Sequence, residues 1–256
     1  ISPLTIKNPK RSSKNQYLDV PCGKCYPCLA KKREDWSFRI DQEYQVCESA
    51  HFITLTYSDE NIPISPLGGQ DALKKRDFQL FIKRLRQYNS KMDTKIYKAA
   101  KKLLDRTKIP KIRYYAVGEY GTKTKRPHYH AIIFNLNKLT IKDIDKIWNL
   151  GHIHIGDVNK ATIHYTTKYL ITKQIDLESI EIKPFSLMSK NLGKNYLNNE
   201  KWHKENQNMY VQSNGYKQSM PRYYKDRIFE DHEKKQANEK MEKESLVKAK
   251  KYEEKY

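Results

Sequence analysis

A histidine pair that leads directly into an apolar segment is the feature that most constrains the fold of this chain. His128 and His130 flank one tyrosine, and the apolar residues 131–134 follow at once. This pattern predicts a strand of a buried sheet, and residues two apart on a strand project to the same face. Both imidazoles therefore leave the edge of that sheet together, close enough to share one divalent metal ion.

The net charge predicts a polyanionic partner. The chain of 256 residues contains 50 Lys and Arg against 30 Asp and Glu, which gives a net charge of +20. Such a charge favours nucleic acid or an anionic membrane surface, and the 19 tyrosines suit stacking on unpaired bases. No segment approaches the ~18 apolar residues of a membrane span, and no signal peptide is recognisable. We therefore expect DNA or RNA rather than a membrane.

Apolar periodicity predicts an α+β fold. Alternating or β-branched segments predict strands at residues 51–57, 112–117, 128–134 and 152–155. Amphipathic segments predict helices at residues 30–47, 72–88, 141–148 and 161–173. The order of these elements indicates a central antiparallel sheet of the ferredoxin-like or RRM-like type, with about five strands and with helices on one face.

Three cysteines are crowded into one short segment. Cys22, Cys25 and Cys28 are each separated by two residues. In a reducing compartment this spacing predicts metal binding, and tetrahedral zinc takes four ligands. Cys47 is the candidate for the fourth ligand. The alternative is a tight loop of three free thiols, with Cys47 buried as a small apolar residue.

A carboxylate accompanies the histidine pair. Glu119 ends the strand before the hairpin turn, and eight residues separate it from His128. Two neutral imidazoles and one carboxylate leave open positions on a divalent cation such as Mg²⁺ or Mn²⁺, which can polarise a phosphoryl oxygen. The alternative for Glu119 is a solvated turn residue.

A second pair, His152 and His154, has the same spacing and competes with the first. It lacks the preceding Arg-Pro turn, the long apolar continuation and a nearby glutamate. We interpret it as part of a strand whose histidines face polar surroundings or DNA.

Two tyrosines on the last predicted helix of the sheet region are candidate nucleophiles. At 100° per residue, Tyr165 and Tyr169 lie close together, at ~200° and ~240° from Ile163 on the core face. Lys168 and Lys173 flank them. Lysine charge and a metal-held phosphate can help a phenol to attack phosphorus. Without the metal motif, two ordinary surface tyrosines would be the simpler interpretation.

These elements, in this order, resemble the HUH endonucleases that initiate rolling-circle replication. The resemblance is strongest to the initiators of the Microviridae, single-stranded DNA phages, and among them to the gokushovirus group. It extends over about residues 20–228. The motifs that carry it are residues 52–56, residues 118–121 with 126–130, residues 165–173, and the flanking segments 21–25, 33–36 and 220–224.

The resemblance implies an HUH-type domain and a particular chemistry. One tyrosine attacks a phosphodiester at the replication origin, in single-stranded DNA, and becomes linked to the 5′ phosphate. The other tyrosine later cleaves the regenerated origin, and Lys168 assists at the phosphate. A host helicase and a host polymerase would be partners, and the host bacterial cytoplasm would be the location.

On this interpretation the chain has four regions. These are a basic, cysteine-rich arm and helix at 1–48, the catalytic domain at 49–175, an extension packed on it at 176–229, and a charged helical or disordered tail at 230–256. DNA contacts are expected from the helix 72–88, the basic insertion 91–111 and the cysteine-rich arm. Two alternatives stay open: a relaxase or single-strand transposase of the HUH type, and a non-catalytic zinc-dependent DNA-binding protein.

Overall fold

The structure, a computed structural model, describes residues 4–7, 16–66, 68–100, 110–168, 182–213 and 215–253. The chain divides into two compact units, one that ends at Leu192 and one that begins at Gly193. The elements of the first unit are β1 (Leu4–Lys7), β2 (Tyr17–Val20), α1 (Tyr26–Tyr44), β3 (Ala50–Thr56), α2 (Lys75–Ala100), β4 (Arg113–Tyr120), β5 (Pro127–Phe134), α3 (Lys138–Lys142), α4 (Ile144–Trp148), β6 (Ile153–Asp157), α5 (Lys160–Lys168) and β7 (Phe185–Met188). Those of the second unit are a 3₁₀ helix (Lys194–Asn199), α6 (Glu200–Asn206), β8 (Tyr210–Ser213), β9 (Tyr216–Ser219), α7 (Arg222–Ile228) and α8 (Asp231–Glu253).

Five strands form one antiparallel sheet in the order β6-β3-β5-β4-β7. The predicted α+β class and the sheet of about five strands are therefore confirmed. The edge strand β7 was not predicted, because four residues are too short to show a reliable alternation. It comes from the segment predicted to be an extension of the domain. Phe185 of β7 packs against Gly118 of β4, where an added Cβ would lie 3.0 Å from its ring.

Helices cover both faces of the sheet, whereas the sequence predicted helices on one face only. On one face, α2, α3 and α4 pack over a core that includes Leu55 and Ile133. On the other face, Ile40 of α1 and Ile163 of α5 share a core with Ile132. The uninterrupted apolar run of β5 explains the difference, because successive residues of a strand face opposite ways and such a run needs cover on both sides.

The residue between the two histidines fixes the register of β5. Tyr129 is fully buried under α2, and its hydroxyl accepts a hydrogen bond from the backbone N–H of Lys74 and lies 2.6 Å from the hydroxyl of Tyr57. Tyr57 in turn donates to the carboxylate of Asp77. A shift of one residue would place both imidazoles in the core, so this network holds His128 and His130 on the opposite face.

Several predicted elements have different limits in the structure. Helix α2 continues to Ala100, through residues that were predicted as a helical or loop insertion. The N-terminal arm contains the exposed hairpin of β1 and β2. The predicted tail forms α8, whose described side chains are mostly exposed. Among the described helices, none is both long enough and apolar enough to cross a membrane.

Candidate active site

The hairpin of β4 and β5 brings one carboxylate and two imidazoles together. The register pairs Glu119 directly with His128, and His130 lies two residues further along the same face. Oε1 of Glu119 lies 2.7 Å from Nε2 of His128 and 3.2 Å from Nε2 of His130. Glu119 and His130 are buried, whereas His128 is partly exposed. We call these three residues the triad.

The geometry of the triad fits one divalent cation. Two donor atoms that bind a cation at right angles from ~2.1 Å lie about 3 Å apart, and both measured distances are close to that value. Nδ1 of His128 lies 3.1 Å from the carbonyl oxygen of Arg126. Because a carbonyl only accepts, this nitrogen carries the proton of the neutral ring, and Nε2 is left as the ligand atom.

Thr54 orients the second imidazole of the triad. Its Oγ1 lies 2.9 Å from Nδ1 of His130, which leaves Nε2 directed at Glu119. Phe52, on the same strand, stacks on the His130 ring with centroids 5.5 Å apart. Groups that hold the far nitrogen of a metal-binding histidine fix the ring and its tautomer. Sequence reasoning assigned Thr54 no role of its own, because its position opposite His130 is visible only once β3 and β5 are paired.

The second histidine pair lies on the same face of the sheet but outside the triad. His154 is opposite Thr54 on β6, two strands away from His130, and two strand spacings amount to about 10 Å. His152 and His154 are both exposed. In the described part of the chain they join no group of three metal-ligating side chains.

Helix α5 places Tyr165 beside the triad. The centroid of the Tyr165 ring lies 5.4 Å from that of His130, with an interplanar angle of 74°, and 6.1 Å from that of Phe52. Tyr165 is 44% exposed. By contrast, burial raises the pKa of Tyr129 to about 12, which keeps that phenol protonated. Among these two neighbours of the histidines, Tyr165 is therefore the candidate nucleophile.

Local sequence fixes the position of α5. The side chain of Asn159 accepts a hydrogen bond from the backbone N–H of Thr162, whose hydroxyl accepts from the N–H of Asn159, so the helix begins in a reciprocal cap. Near the other end, Oγ1 of Thr167 lies 2.7 Å from Oγ of Ser37 on α1, and both residues are buried. With Ile163 in the core, the helix turns Tyr165 outward.

The remaining predicted residues of this site lie at or beyond the end of α5. Lys168 is exposed and is the last residue of the helix. Tyr169 and Lys173 lie outside the described residues. The role of Tyr169 as a second nucleophile therefore stays a prediction.

The basic helix α2 lies across the sheet from the triad. Its apolar residues Phe78 and Leu85 belong to the core that contains Leu55, on the opposite face from His130. Its exposed basic residues include Lys75, Arg76, Lys83 and Arg86. DNA held at the triad can reach this surface only by passing around an edge of the sheet.

A second cluster of potential metal ligands lies at the start of α1. The sulfur atoms of Cys22, Cys25 and Cys28 all lie within 4.8 Å of one another. Sγ of Cys22 accepts hydrogen bonds from the backbone N–H groups of Cys25 and Lys24, at 3.2 and 3.5 Å. The N–H of Cys25, followed by that of Lys24, lowers the pKa of the Cys22 thiol to about 7.

The structure does not bring Cys47, the predicted fourth ligand, to this cluster. Helix α1 separates Cys28 in its first turn from Tyr44 at its end, and 16 residues at 1.5 Å each span roughly 24 Å. Cys47 instead donates to the carbonyl of Tyr44 and packs against the core. Burial raises the pKa of its thiol.

Known proteins match most of the chain. Residues 50–175 match the family model of the replication-associated proteins of the ORF2 and gene 2 protein type. The chain is 32% identical to the replication-associated protein VP4 of Bdellovibrio phage phiMH2K, over 91% of this chain and 74% of that protein. It is 31% identical to the replication-associated protein ORF2 of Spiroplasma virus 4, over 82% of this chain and 67% of that protein. The replication-associated protein ORF4 of Chlamydia phage 1 is 24% identical, over 81% of this chain and 53% of its own length.

No solved structure matches the chain. The family therefore rests on the sequence matches, and they span both the triad and α5. The antiparallel sheet with helices packed on it agrees with the fold that the resemblance implied. The chain belongs to the phage replication-associated proteins and is a rolling-circle replication initiator of the Microviridae type.

Proposed function

We propose that this protein nicks and rejoins single-stranded DNA at the replication origin through a covalent 5′-phosphotyrosine intermediate. The observation that carries this proposal is the exposed phenol of Tyr165 beside the triad. A nucleophile next to a site for a divalent cation is the combination that phosphodiester chemistry requires.

Glu119, His128 and His130 would hold Mg²⁺ or Mn²⁺, and imidazole ligands favour Mn²⁺ over Mg²⁺. When bound, the cation would neutralise charge on the scissile phosphate and orient it. The chain prepares the ligands: the Arg126 carbonyl holds the proton of His128 on Nδ1, and Thr54 holds the ring of His130.

In the proposed nicking step, the hydroxyl oxygen of Tyr165 forms a bond to phosphorus and the bond from phosphorus to the 3′ oxygen breaks. The tyrosine loses its proton, and the 3′ oxygen gains one, which leaves a free 3′ hydroxyl and a 5′ end linked to the protein. Lys168 lies three residues after Tyr165 and is exposed. It would steady the phosphate or protonate the leaving oxygen.

Tyr169 would act at the end of the replication round. It follows Tyr165 by four residues, which is about one turn if the helix continues. Tyr169 would cleave the regenerated origin, and the freed 3′ hydroxyl would then attack the first phosphotyrosine and close the displaced strand into a circle. Each step exchanges one phosphoester bond for another, so joining needs no nucleotide cofactor. A host polymerase and a host helicase in the bacterial cytoplasm would carry out synthesis and unwinding.

Two alternatives differ from this proposal in what they need. A relaxase or single-strand transposase would share the nicking chemistry, but the relatives are phage replication-associated proteins, which supports a role in replication. A non-catalytic zinc-dependent DNA-binding protein would need the cysteines and not the triad.

A covalent-adduct assay tests the proposal. Oligonucleotides that tile the genome encoding the chain carry a label at the 3′ end, because the linked fragment is the one that begins with the 5′ phosphate at the nick. After incubation with Mn²⁺, a denaturing gel should show a labelled band at the size of the protein for one of these strands. EDTA should abolish the band.

Substitutions then identify the nucleophiles. We expect Tyr165→Phe and Tyr169→Phe each to leave an adduct on the other tyrosine, and the double substitution to remove it. Tyr216→Phe is the matched control, because Tyr216 is 79% exposed and lies in the second unit. No adduct from the unaltered chain on any tiled strand, or an undiminished adduct from the double variant, would overturn the proposal.

A further inference from the structure

We propose that Cys22, Cys25 and Cys28 form a second metal site, which holds Zn²⁺ at the start of α1. This site uses three sulfur donors, whereas the triad offers nitrogen and oxygen. It shares no residue with the triad and does not depend on the nicking chemistry.

The spacing of the sulfur atoms suits one zinc ion. Sulfur atoms bound tetrahedrally to zinc at ~2.3 Å lie about 3.8 Å apart, and the three sulfurs already lie within 4.8 Å of one another. Rotation of the cysteine side chains can supply the difference. In the described part of the chain no fourth cysteine, histidine or carboxylate joins them, so a water molecule or another donor would take the fourth position.

The backbone around the cysteines favours thiolates, the form that binds metal. Gly23 has a φ of +72°, which lets the chain turn so that the N–H groups of Lys24 and Cys25 point at the sulfur of Cys22. Cys25 is the N-cap of α1 and Cys28 lies in its first turn. The positive end of a helix of 19 residues therefore faces this sulfur cluster.

Metal binding also accounts for the number of cysteines better than a disulfide does. All three are free thiols, and one disulfide among them would leave one sulfur unused. The chain's family acts inside a bacterial host, where thiols stay reduced. Zinc would engage all three sulfurs at once.

The position of the site indicates what the zinc would stabilise. Helix α1 supports α5 through the contact of Ser37 with Thr167, and Trp36 packs on Tyr115 of the sheet, with ring centroids 5.2 Å apart. The sulfur cluster lies at the opposite end of α1 from its junction with β3. Zinc would therefore anchor the helix that supports the Tyr165 helix, without contacting the triad.

Zinc content tests the proposal. The full chain, purified with a non-thiol reductant and supplied with Zn²⁺, is freed of weakly bound metal and measured by elemental mass spectrometry. We expect about one zinc per chain, as for a structural site. The value should fall at least about fivefold in Cys25→Ser, since a site with three protein ligands loses one of them. It should stay unchanged in Cys47→Ser and in the double substitution of His128 and His130 by Ala.

Thiol protection gives a second readout that needs no substitution. In the unaltered chain, Zn²⁺ should slow alkylation of Cys22, Cys25 and Cys28 by at least ~10-fold relative to the zinc-free protein, because bound thiolates are withdrawn from reaction. Cys47 should alkylate at the same rate with and without zinc. Equal alkylation of all four cysteines under both conditions, or zinc that stays bound in Cys25→Ser and is lost with the two histidines, would overturn the proposal.

Discussion

Two His-x-His pairs lie on one face of the same sheet, yet their surroundings differ. His130 and His154 are both opposite Thr54, one on each neighbouring strand. His130 is buried, contacts Glu119 and lies beside Tyr165. His154 is exposed on the edge strand β6, with no carboxylate completing a ligand group in the part of the chain that the structure describes.

The residues between the histidines differ in the same direction. Tyr129 is fully buried and tied to α2 by its hydroxyl, whereas Ile153 is only partly buried. Spacing alone therefore sets which face a pair occupies, and the neighbouring strands determine whether that pair can hold a metal. The comparison predicts that paired substitutions at the two motifs will have unequal effects.

The largest difference is expected from removing the histidines themselves. Replacing His128 and His130 together by Ala should lower adduct formation by more than about 100-fold, because even partners outside the ligand set cost ~10–100-fold. Replacing His152 and His154 together by Ala should change it by less than about threefold. Initial rates of adduct formation with Mn²⁺ measure both. Equal losses from the two double variants would show that the motifs do not differ as proposed.

The carboxylate gives the next largest effect. Glu119→Gln keeps the shape of the side chain but removes the charge, so we expect Mn²⁺ affinity to fall by about 10–100-fold. Asp157→Asn, on the strand of the second pair and exposed, is the matched control and should leave affinity unchanged. Titration calorimetry with Mn²⁺ measures both variants. Unaltered affinity in Glu119→Gln would remove Glu119 from the ligand set.

Thr54 and Thr56 allow a sharper test on a single strand. Thr54→Val removes the hydrogen bond to Nδ1 of His130, and we expect Mn²⁺ affinity to fall by roughly 10-fold. Thr56 faces the same side of the sheet but donates to the carbonyl of His152. Thr56→Val should therefore have little effect on Mn²⁺ binding. If the two variants bind Mn²⁺ alike, Thr54 does not position His130.

The smallest effect concerns stability. Tyr129→Phe leaves the buried hydroxyl of Tyr57 and the backbone N–H of Lys74 short of a partner, and we expect a loss of about 1–3 kcal/mol in the free energy of unfolding. Ile153→Val, between the second pair, should cost about 0.5–1.5 kcal/mol. Urea unfolding followed by circular dichroism compares them. A larger loss from Ile153→Val would contradict the difference in burial.

Local pattern was sufficient to predict the centre of the site. The alternation of His128, Tyr129 and His130 fixed their faces, the hairpin brought Glu119 opposite His128, and the helical angle turned Tyr165 away from the core. These are properties of single strands, single turns and single helices. They need no knowledge of distant contacts.

What the sequence did not predict depends on contacts between distant elements. Thr54 meets His130 only through the pairing of β3 with β5, and β7 is too short to recognise before it joins the sheet. The separation of Cys47 from the other cysteines follows from the length of α1. Likewise, charge alone marked α2 as a DNA-binding helix, and only the packing of both sheet faces shows that it lies across from the triad.

The most direct test of the triad and Tyr165 acting together is to locate the covalent bond in the adduct. Trypsin cuts after Lys168, so Tyr165 and Tyr169 fall in separate peptides, residues 161–168 and 169–173. After reaction with Mn²⁺, nuclease trimming and mass spectrometry, the account predicts a nucleotide phosphate on Tyr165, and none when His128 and His130 are replaced by Ala. A phosphate on a tyrosine outside these two peptides, or one on Tyr165 that persists without the histidines, would contradict it.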